Sequence, residues 1–327
     1  MTRLRVGVIG CGAISTLYQL PALRRCARLD LVAVADVDGA WAAKVARRFG
    51  AAESHADYRA LVGRVDAVLV ATPNTTHADI ACDLLGHGIH VLCEKPMATS
   101  RADVDRMFAA AQRGGARLMA AHCLRFNPNL AFLKRAIDAG WLGTIRSMSG
   151  AIGGPYDAGA QRTDFRRQRR LSGGGVLIDL GIHLIDLMVW LAGEAPLEVA
   201  YESSAGEGWE VERNAEVALR FGGGGSASLT ASFSRFMDSA LVVRGESGWA
   251  RAPLYTPTRL TFFSSRARPC RRDGAQELVL PDASMYDSQI DHFCRAVQSG
   301  EGFLVRPDEV RASIGVVESC YLTEAAA

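Results

Sequence analysis

The alternation of short apolar runs with longer amphipathic stretches over residues 4–120 constrains the fold of this 327-residue chain more than any other feature. Strands that alternate with helices at this pitch form βαβ units, in which helices cover both faces of a parallel sheet. The run at residues 67–71 is apolar throughout, as expected of a strand buried on both faces. We predict strands at residues 4–9, 31–36, 67–71, 89–93 and 117–120, and helices at residues 14–25, 40–49, 76–85 and 100–112.

The pattern changes after residue 122, where strand-like runs cluster and helices become fewer. Four glycines at residues 222–225 lie between two such runs and predict a hairpin loop. We predict an α/β fold with a doubly wound parallel sheet at residues 1–122 and an α+β domain with a large, mostly antiparallel open sheet at residues 123–327. The predicted elements of the second domain are strands at residues 145–152, 215–221, 227–233, 240–243 and 259–263, and helices at residues 129–139, 176–191, 287–298 and 307–326.

A glycine-rich turn follows the first predicted strand, with Gly10, Gly12 and Ser15 at the positions of a G-x-G-x-x-G motif. Gly10 permits a tight turn, and Gly12 lets the backbone approach a pyrophosphate at the N-terminus of the next helix. The third position requires only a small residue, which serine satisfies. The turn therefore predicts a dinucleotide site, and we place Ala13 and Ile14 in it as well.

An acidic residue, Asp36, ends the second predicted strand. A carboxylate at this position accepts hydrogen bonds from the ribose hydroxyls of the adenosine, and it repels the 2′-phosphate of NADP. Asp38 adds negative charge nearby, and no arginine follows immediately. We therefore expect the cofactor to be NAD.

Lys95 follows the strand at residues 89–93, one of only three lysines in a chain rich in arginine. The carboxyl ends of parallel strands form the edge at which ligands bind in open α/β sheets. An ammonium group there can donate a hydrogen bond to a substrate oxygen, and unlike a guanidinium it can titrate. We expect Lys95 to lie at the nicotinamide end of the cofactor.

The apolar helix at residues 176–191 carries three ionisable side chains, Asp179, His183 and Asp186. Their spacing places them on one helical face. An imidazole one turn from a carboxylate can act as a general acid or base. Asp186 fits a structural hydrogen-bond network better, because a buried charge must be satisfied.

Two segments resemble signatures of the Gfo/Idh/MocA family (glucose–fructose oxidoreductase, inositol dehydrogenase, rhizopine catabolism). One runs from Ala71-Thr-Pro-Asn-Thr-Thr-His77 to Glu94-Lys95-Pro96, and the other is Gly173-Gly-Gly-Val-Leu-Ile-Asp179-Leu-Gly-Ile-His183-Leu-Ile-Asp186. The resemblance implies a Rossmann domain and a second domain whose open sheet is buried in a homodimer or homotetramer. It also implies a cis Lys95–Pro96 bond.

The resemblance implies a set of site residues as well. Those expected to be catalytic are Lys95, Asp179 and His183. Those expected near the cofactor, besides the glycine-rich turn and Asp36, are Thr72, Pro73, Asn74, His77, Glu94 and Lys95. Those expected at the substrate are Arg125, Asn127, Tyr156, Asp179 and His183.

By the same resemblance, the expected reaction interconverts a secondary alcohol and a ketone on a sugar, amino sugar or cyclitol. His183 removes the hydroxyl proton while a hydride passes to the nicotinamide, Lys95 holds the reacting oxygen, and Asp179 orients the pair. A tailoring dehydrogenase or ketoreductase acting on a nucleotide sugar or an aminoglycoside-like glycoside is an alternative. A regulator that senses NAD without catalysis is another, which the intact catalytic set argues against.

Two charged segments point to opposite substrate charges. The segment at residues 162–170 carries five arginines and one aspartate, a composition that suits phosphate recognition. Residues 194–216 carry seven glutamates against Arg213, which would suit an amino sugar. Either segment can equally be solvated surface or a subunit contact, so we predict a polyhydroxylated ring and leave its charge open.

The composition gives no reason to expect nucleic acid or a membrane as a partner, since the formal net charge is +2. The eight cysteines lack metal-ligand spacing, so we expect no metal and a reducing, cytoplasmic location. A strand begins almost at the N-terminus, which leaves no room for a signal peptide, and no long apolar run suggests a membrane span.

Overall fold

The computed structural model describes residues 2–157, 163–267 and 274–326. The first part of the chain forms a six-stranded sheet of order β3-β2-β1-β4-β5-β6, in which all paired strands are parallel. Its strands are β1 (Leu4–Ile9), β2 (Leu29–Ala35), β3 (Glu53–His55), β4 (Ala67–Val70), β5 (His90–Glu94) and β6 (Leu118–Ala121). Its helices are α1 (Leu20–Arg25), α2 (Gly39–Phe49), α3 (His77–Gly86) and α4 (Arg101–Gly114).

The second part forms an eight-stranded sheet of order β14-β13-β12-β11-β7-β10-β9-β8, in which only the central β7–β10 pair is parallel. The predicted fold class is therefore confirmed. The strands are β7 (Ile145–Gly153), β8 (Pro196–Ala205), β9 (Glu212–Phe221), β10 (Ser226–Ser232), β11 (Ala240–Gly245), β12 (Gly248–Pro253), β13 (Arg259–Ser264) and β14 (Gln276–Val279). The helices are α5 (Pro128–Asp138), α6 (Arg169–Ser172), α7 (Ile182–Ala192), α8 (Met285–Ser299) and α9 (Pro307–Ala326).

The four glycines at residues 222–225 connect β9 to β10, which pair in an antiparallel hairpin as predicted. The residues of β9 alternate between buried and exposed because helices cover only one face of the sheet here. Ala215, Val217 and Leu219 are buried, whereas Glu216 and Ala218 are exposed. This period of two is typical of a sheet with one covered face.

Helix α7 forms the centre of the second part, packing against α9 and against strands β7 and β10. All of its residues from Ile182 to Leu191 are buried except His183. The helical stretch Arg169–Ala192 is long and apolar enough to cross a membrane, but 78% of its most apolar window is buried inside the fold. Among the described residues, the one stretch that passes this test is thus a core helix.

Two predicted helices begin with a π-helical turn rather than an α-helical one. The first, Ser15–Gln19, follows the glycine-rich turn, and the second, Leu177–Gly181, contains Asp179 and continues into α7. π-Helical turns are rare and occur frequently at functional sites. Both of these turns lie beside the cleft described next.

Candidate active site

A cleft of about 410 Å³ lies at the carboxyl edge of the parallel sheet, between the ends of β1, β2, β4 and β5 and residues 163–166. The glycine-rich turn and Asp36 line one part of it, and Glu94, Lys95 and Asp179 line another. Of the predicted cofactor residues, those in the lining are Gly10, Gly12, Ala13, Ile14, Asp36, Thr72, Pro73, Asn74, His77, Glu94 and Lys95.

The glycine-rich turn has the geometry that a dinucleotide requires. Gly10 has φ +90°, and a Cβ on it would lie 2.4 Å from the backbone oxygen of Ala71, so the two loops approach each other closely. A Cβ on Gly12 would meet no atom within 4 Å and would extend into open space. The buried Ser15 hydroxyl donates to the backbone oxygen of Gly10 at 2.5 Å, so this serine fastens the turn.

Both carboxylate oxygens of Asp36 accept backbone hydrogen bonds. Oδ2 accepts from the Cys11 amide at 2.8 Å, and Oδ1 accepts from the Asp38 amide at 3.0 Å. The carboxylate is therefore held in the cleft at a fixed position. The Asp38 side chain accepts from the Trp41 amide and caps the N-terminus of α2, a role that the sequence analysis did not anticipate.

The segment after β4 joins the two parts of the molecule. Asn74 donates through Nδ2 to the backbone oxygen of Ser172 at 2.8 Å, and Thr75 donates to the backbone oxygens of Arg170 and Leu171. The buried His77 ring lies within hydrogen-bond distance of the backbone oxygens of Thr72 and Pro96. A neutral ring donates to one of these two oxygens, so His77 lies between the two loops and is hydrogen-bonded to one of them.

The Lys95–Pro96 peptide bond is cis, which confirms that prediction. The Lys95 ammonium donates to the backbone oxygen of Asp179 at 2.7 Å and to its carboxylate Oδ1 at 2.9 Å. Its neighbour Glu94 is buried, and its Oε1 accepts a hydrogen bond from the side-chain Nε2 of Gln19 at 2.5 Å. Burial raises the pKa of Glu94, whereas the charge of Lys95 opposes this increase.

The Asp179 carboxylate is bound by two cations. Besides Lys95, the Arg166 Nε donates to Asp179 Oδ2 at 2.7 Å. Burial alone would raise the pKa of Asp179, but the charges of Arg166 and Lys95 outweigh burial and hold this pKa well below its usual range. The two cations therefore favour the ionised form of Asp179.

His183 lies one turn beyond Asp179 and close to Lys95 and His122. Burial, together with the charge of Lys95, lowers the pKa of His183 well below its usual value, so the imidazole is neutral at pH 7. Its Nδ1 is buried without a hydrogen-bond partner in the described part of the chain. A neutral ring beside an ammonium group and a carboxylate can accept a proton.

Arg125 and Asn127, which we expected at the substrate, lie in buried contacts, and a contact of either residue with the substrate stays a prediction. The Arg125 side chain is completely buried, donates to both carboxylate oxygens of Asp186 and is also paired with Glu309. Asn127 is buried and donates to the backbone oxygen of Leu254 at 3.1 Å. Two buried carboxylates require a buried cation, and this requirement draws the arginine into the core.

Sequence reasoning missed His122, although this residue directly follows the last parallel strand and the strand-end rule could have identified it. Its ring is buried, and Nε2 lies 3.5 Å from Asp186 Oδ1. Burial lowers the pKa of His122 to about 4, and the charge of Asp186 opposes this effect.

The arginine-rich segment divides into separate roles. Arg166 lines the cleft, whereas Arg167 donates to Asp164 and to the backbone oxygen of Gly208. Arg169 and Arg170 are exposed. Arg162 lies outside the described residues.

Tyr156, which we expected at the substrate, contacts this segment. Its hydroxyl donates to Asp164 at 3.2 Å and is hydrogen-bonded to Arg166. Tyr156 is therefore near the catalytic carboxylate, and a direct contact with the substrate stays a prediction.

The seven glutamates at residues 194–216 do not contribute to the described lining of the cleft. Glu212 is buried and accepts from the amides of Gly175 and Leu177, at the start of the second π-helical turn. Glu198 is paired with Arg220 on the exposed surface. The segment therefore gives no structural support for a cationic substrate.

Three tyrosines from separate elements lie near the Lys95 end of the cleft. Tyr18 stacks on Tyr286 with ring centroids 5.0 Å apart, and Tyr18 is 48% exposed. Tyr255 is exposed, and desolvation of its hydroxyl and the charge of Asp179 raise its pKa. The sequence analysis did not predict this cluster, because the three residues are far apart in the chain.

Two family sequence profiles match the chain. One, described as an oxidoreductase family with an NAD-binding Rossmann fold, matches residues 4–122. The other, the C-terminal domain of Gfo/Idh/MocA proteins, matches residues 130–251. The chain belongs to the Gfo/Idh/MocA family. It is an oxidoreductase of that family with an NAD(P)-binding Rossmann domain.

Curated relatives include a dTDP-3,4-didehydro-2,6-dideoxy-alpha-D-glucose 3-reductase from Actinomadura kijaniata, which is 32% identical over 91% of this chain and 89% of its own length. The rhizopine catabolism protein MocA from Rhizobium meliloti is 32% identical over 60% of this chain, and the match spans 59% of its length.

Solved structures agree in fold. A 3-ketoreductase from Actinomadura kijaniata, in complex with NADP and TDP-benzene, superposes with a TM-score of 0.86 at 28% identity and 98% coverage of both chains. A levoglucosan dehydrogenase in complex with NADH and levoglucosan has a TM-score of 0.89 at 22% identity, covering 99% of this chain and 98% of its own. The latter shows the common fold alone.

Proposed function

We propose that the protein is an NAD(H)-dependent dehydrogenase that transfers a hydride between nicotinamide and a secondary alcohol or ketone carbon of a sugar, amino sugar or cyclitol. The observation that carries the proposal is the contact of the Lys95 ammonium with Asp179, one helical turn from a neutral His183. A histidine can act as a general base only when its ring is unprotonated at the working pH.

The residues of the cleft fit a dinucleotide. The open space above Gly12 accommodates a pyrophosphate beside the following helix, and the fixed carboxylate of Asp36 suits the hydroxyls of a ribose. When bound, the nicotinamide supplies the hydride acceptor for oxidation or the donor for reduction.

The chain's own side chains account for the proton. In the direction of oxidation, the substrate hydroxyl loses its proton to His183 while the carbinol carbon loses its hydride, so that a ketone forms. The Lys95 ammonium donates a hydrogen bond to the reacting oxygen, and Asp179 fixes the position of this ammonium. Reduction reverses these steps.

The side chains near the Lys95 end of the cleft favour a substrate ring with apolar faces and polar edges. Tyr18, Tyr255 and Tyr286 offer aromatic faces next to the catalytic group, and binding pockets commonly combine such faces with a few placed polar groups. A sugar or cyclitol ring has this combination of surfaces.

Turnover of a panel of sugars, amino sugars and cyclitols, followed by NADH absorbance, tests the proposal. At least one member should be oxidised at a rate that Lys95→Ala abolishes. Binding of NAD without turnover of any member would instead support a regulator that senses the cofactor.

A second candidate is a tailoring ketoreductase that acts on a nucleotide sugar or a glycoside. The observation that favours it is the 32% identity to a dTDP-sugar reductase over 91% of the chain. Reduction of a dTDP-ketosugar with a kcat/KM above that for every free sugar in the panel would establish this candidate.

We also propose a cytoplasmic homodimer or homotetramer that assembles through the open face of the second sheet. The open face carries exposed residues such as Ser226 and Ser228 of β10 and Val279 of β14, and the helices pack on the opposite face. Light scattering on the purified protein tests this proposal, because a monomer at micromolar concentration would contradict it.

A further inference from the structure

Arg166 reaches the catalytic carboxylate from outside the catalytic helix. It belongs to a short 3₁₀ turn, Phe165–Arg167, and both Phe165 and Arg166 line the cofactor cleft. The side chain of Arg166 is 25% exposed, and its guanidinium lies over the Phe165 ring, 4.9 Å from the centroid. The turn therefore connects the wall of the cleft directly to Asp179.

The contacts of Arg166 fix its position. The Nε donates to Asp179 Oδ2, and the guanidinium is also hydrogen-bonded to the Tyr156 hydroxyl, which in turn donates to Asp164. The other carboxylate oxygen of Asp179 is bound by Lys95. One carboxylate is thus shared between two cations on opposite oxygens.

We propose that Arg166 is a positioning residue that neutralises part of the Asp179 charge and thereby limits how strongly Asp179 attracts a proton to His183. This inference rests on the proposed function, in which His183 accepts the substrate proton. Arg166 itself does not act on the reacting atoms.

The electrostatic reasoning follows from the groups that face the pair. A free carboxylate one turn from an imidazole stabilises the imidazolium form, whereas a carboxylate already paired with two cations does so less. The charged and titratable groups that surround Asp179 and His183 are Glu94 at the end of β5, Lys95 after it, His122 after β6, Arg166, Tyr255 after β12, and Asp186 on α7. Among them, Arg166 is the cation supplied by the segment after β7.

Arg166→Gln tests the proposal, with Arg170→Gln as the matched control. Arg170 is an exposed arginine of the same segment, so its loss removes the same charge without touching Asp179. In Arg166→Gln, the acid limb of the pH profile of kcat/KM for alcohol oxidation should move to higher pH by about one unit. The profile of Arg170→Gln should match that of the wild type.

A double-mutant cycle separates action through Asp179 from a general structural effect. In an Asp179→Asn background, Arg166→Gln should shift the profile no further, because the carboxylate that Arg166 neutralises is gone. A profile of Arg166→Gln that superposes on the wild type overturns the proposal. A shift that persists in the Asp179→Asn background overturns it as well.

A second measurement does not depend on turnover. NMR titration of the histidine rings without substrate, with His183→Gln to assign the signal, should show His183 taking up a proton at a higher pH in Arg166→Gln than in the wild type. If no substrate is turned over, the proposed function fails, and this titration still decides the role of Arg166. The same titration curve in both proteins would overturn that role.

Discussion

At the scale of single residues, we expect that arginine can supply the charge of Lys95 but not its function. The compact Lys95 ammonium donates to both the backbone oxygen and the carboxylate of Asp179, whereas a guanidinium is planar and presents its donors in a different geometry. Lys95→Arg, Lys95→Ala and His183→Ala should each lower kcat by roughly 10²–10⁴ with little change in the Kd of NADH. Steady-state kinetics and cofactor titration measure both quantities.

The control for this set is Lys134→Arg, in which a lysine on α5 that pairs with Asp138 is replaced. Its activity should equal that of the wild type. Lys95→Arg with most of its activity retained would show that only a positive charge is needed.

Asp36 should determine the choice of cofactor. Its carboxylate is fixed in the cleft by two backbone amides, where it would repel a 2′-phosphate. NAD(H) should bind at least tenfold more tightly than NADP(H), a difference of about 1.4 kcal/mol. In Asp36→Ser/Val37→Arg the difference between the affinities for NAD(H) and NADP(H) should become smaller, because Val37 is 95% exposed and an arginine there has room to reach the 2′-phosphate.

Calorimetric titration of both cofactors with the wild type and this double variant checks the expectation. Val37→Arg alone serves as the control for the added charge. Equal affinity of the wild type for the two cofactors would refute the role assigned to Asp36.

At the scale of elements, the buried Arg125 connects the turn after β6 to helices α7 and α9 through Asp186 and Glu309. Arg125→Met would leave the buried Asp186 without its arginine partner and Glu309 with Arg306 as its remaining cation. Breaking a buried pair in this way costs about 3–5 kcal/mol of unfolding free energy. Urea unfolding followed by circular dichroism measures the loss.

Arg146→Met is the matched control, because Arg146 pairs with Glu246 on the exposed surface. Exposed pairs contribute at most about 1 kcal/mol. Equal losses in the two variants would mean that the buried network does not stabilise the fold.

The sequence analysis predicted most of the elements in which apolar and polar side chains recur with a helical or strand period. It missed four strands in which this period is weak or absent. Strands β3, β8 and β14 are sheet edges with partly or largely exposed residues, and β12 is composed mainly of glycine, alanine and proline. β3, β12 and β14 carry no apolar period. In β8, Leu197, Val199 and Tyr201 alternate with Glu198, Ala200 and Glu202, but the period covers only the first half of the strand. The π-helical turns escaped prediction because an extra residue in one turn leaves the apolar pattern of the helix almost unchanged.

The same distinction holds for the site. Asp36 and Lys95 follow parallel strands, so the topology alone brings them to one edge. The pairing of Arg166 with Asp179, and of Arg125 with Asp186, depends on which side chains meet between segments that are separate in the chain. Sequence spacing does not contain that information.

At the scale of the whole molecule, buried neutral histidines should make stability depend on pH. In the unfolded chain His122 takes up a proton near pH 6.5, whereas burial lowers its pKa in the folded protein to about 4. Between these values the unfolded state binds more protons, so the free energy of unfolding falls as the pH falls. From pH 7 to pH 5 the contribution of His122 should decrease by about 2 kcal/mol.

Urea unfolding at the two pH values measures this decrease. His122→Gln should make the total decrease smaller by about 2 kcal/mol, because other buried histidines such as His183 keep their share. His87→Gln, at an exposed position, should leave the total decrease unchanged. The same pH dependence in His122→Gln and in the wild type would show that other groups carry the effect.

His183 and Trp190 lie on the same helix, α7, and the Trp190 ring packs against the buried Arg125 guanidinium. Because this helix packs in the middle of the second part of the molecule, we expect the active site and the scaffold to unfold together. Turnover should therefore be proportional to the fraction of protein that is folded. Loss of turnover and the change in tryptophan fluorescence should follow one curve during heating, so that a stabilising substitution anywhere around α7 also prolongs the working life of the catalyst.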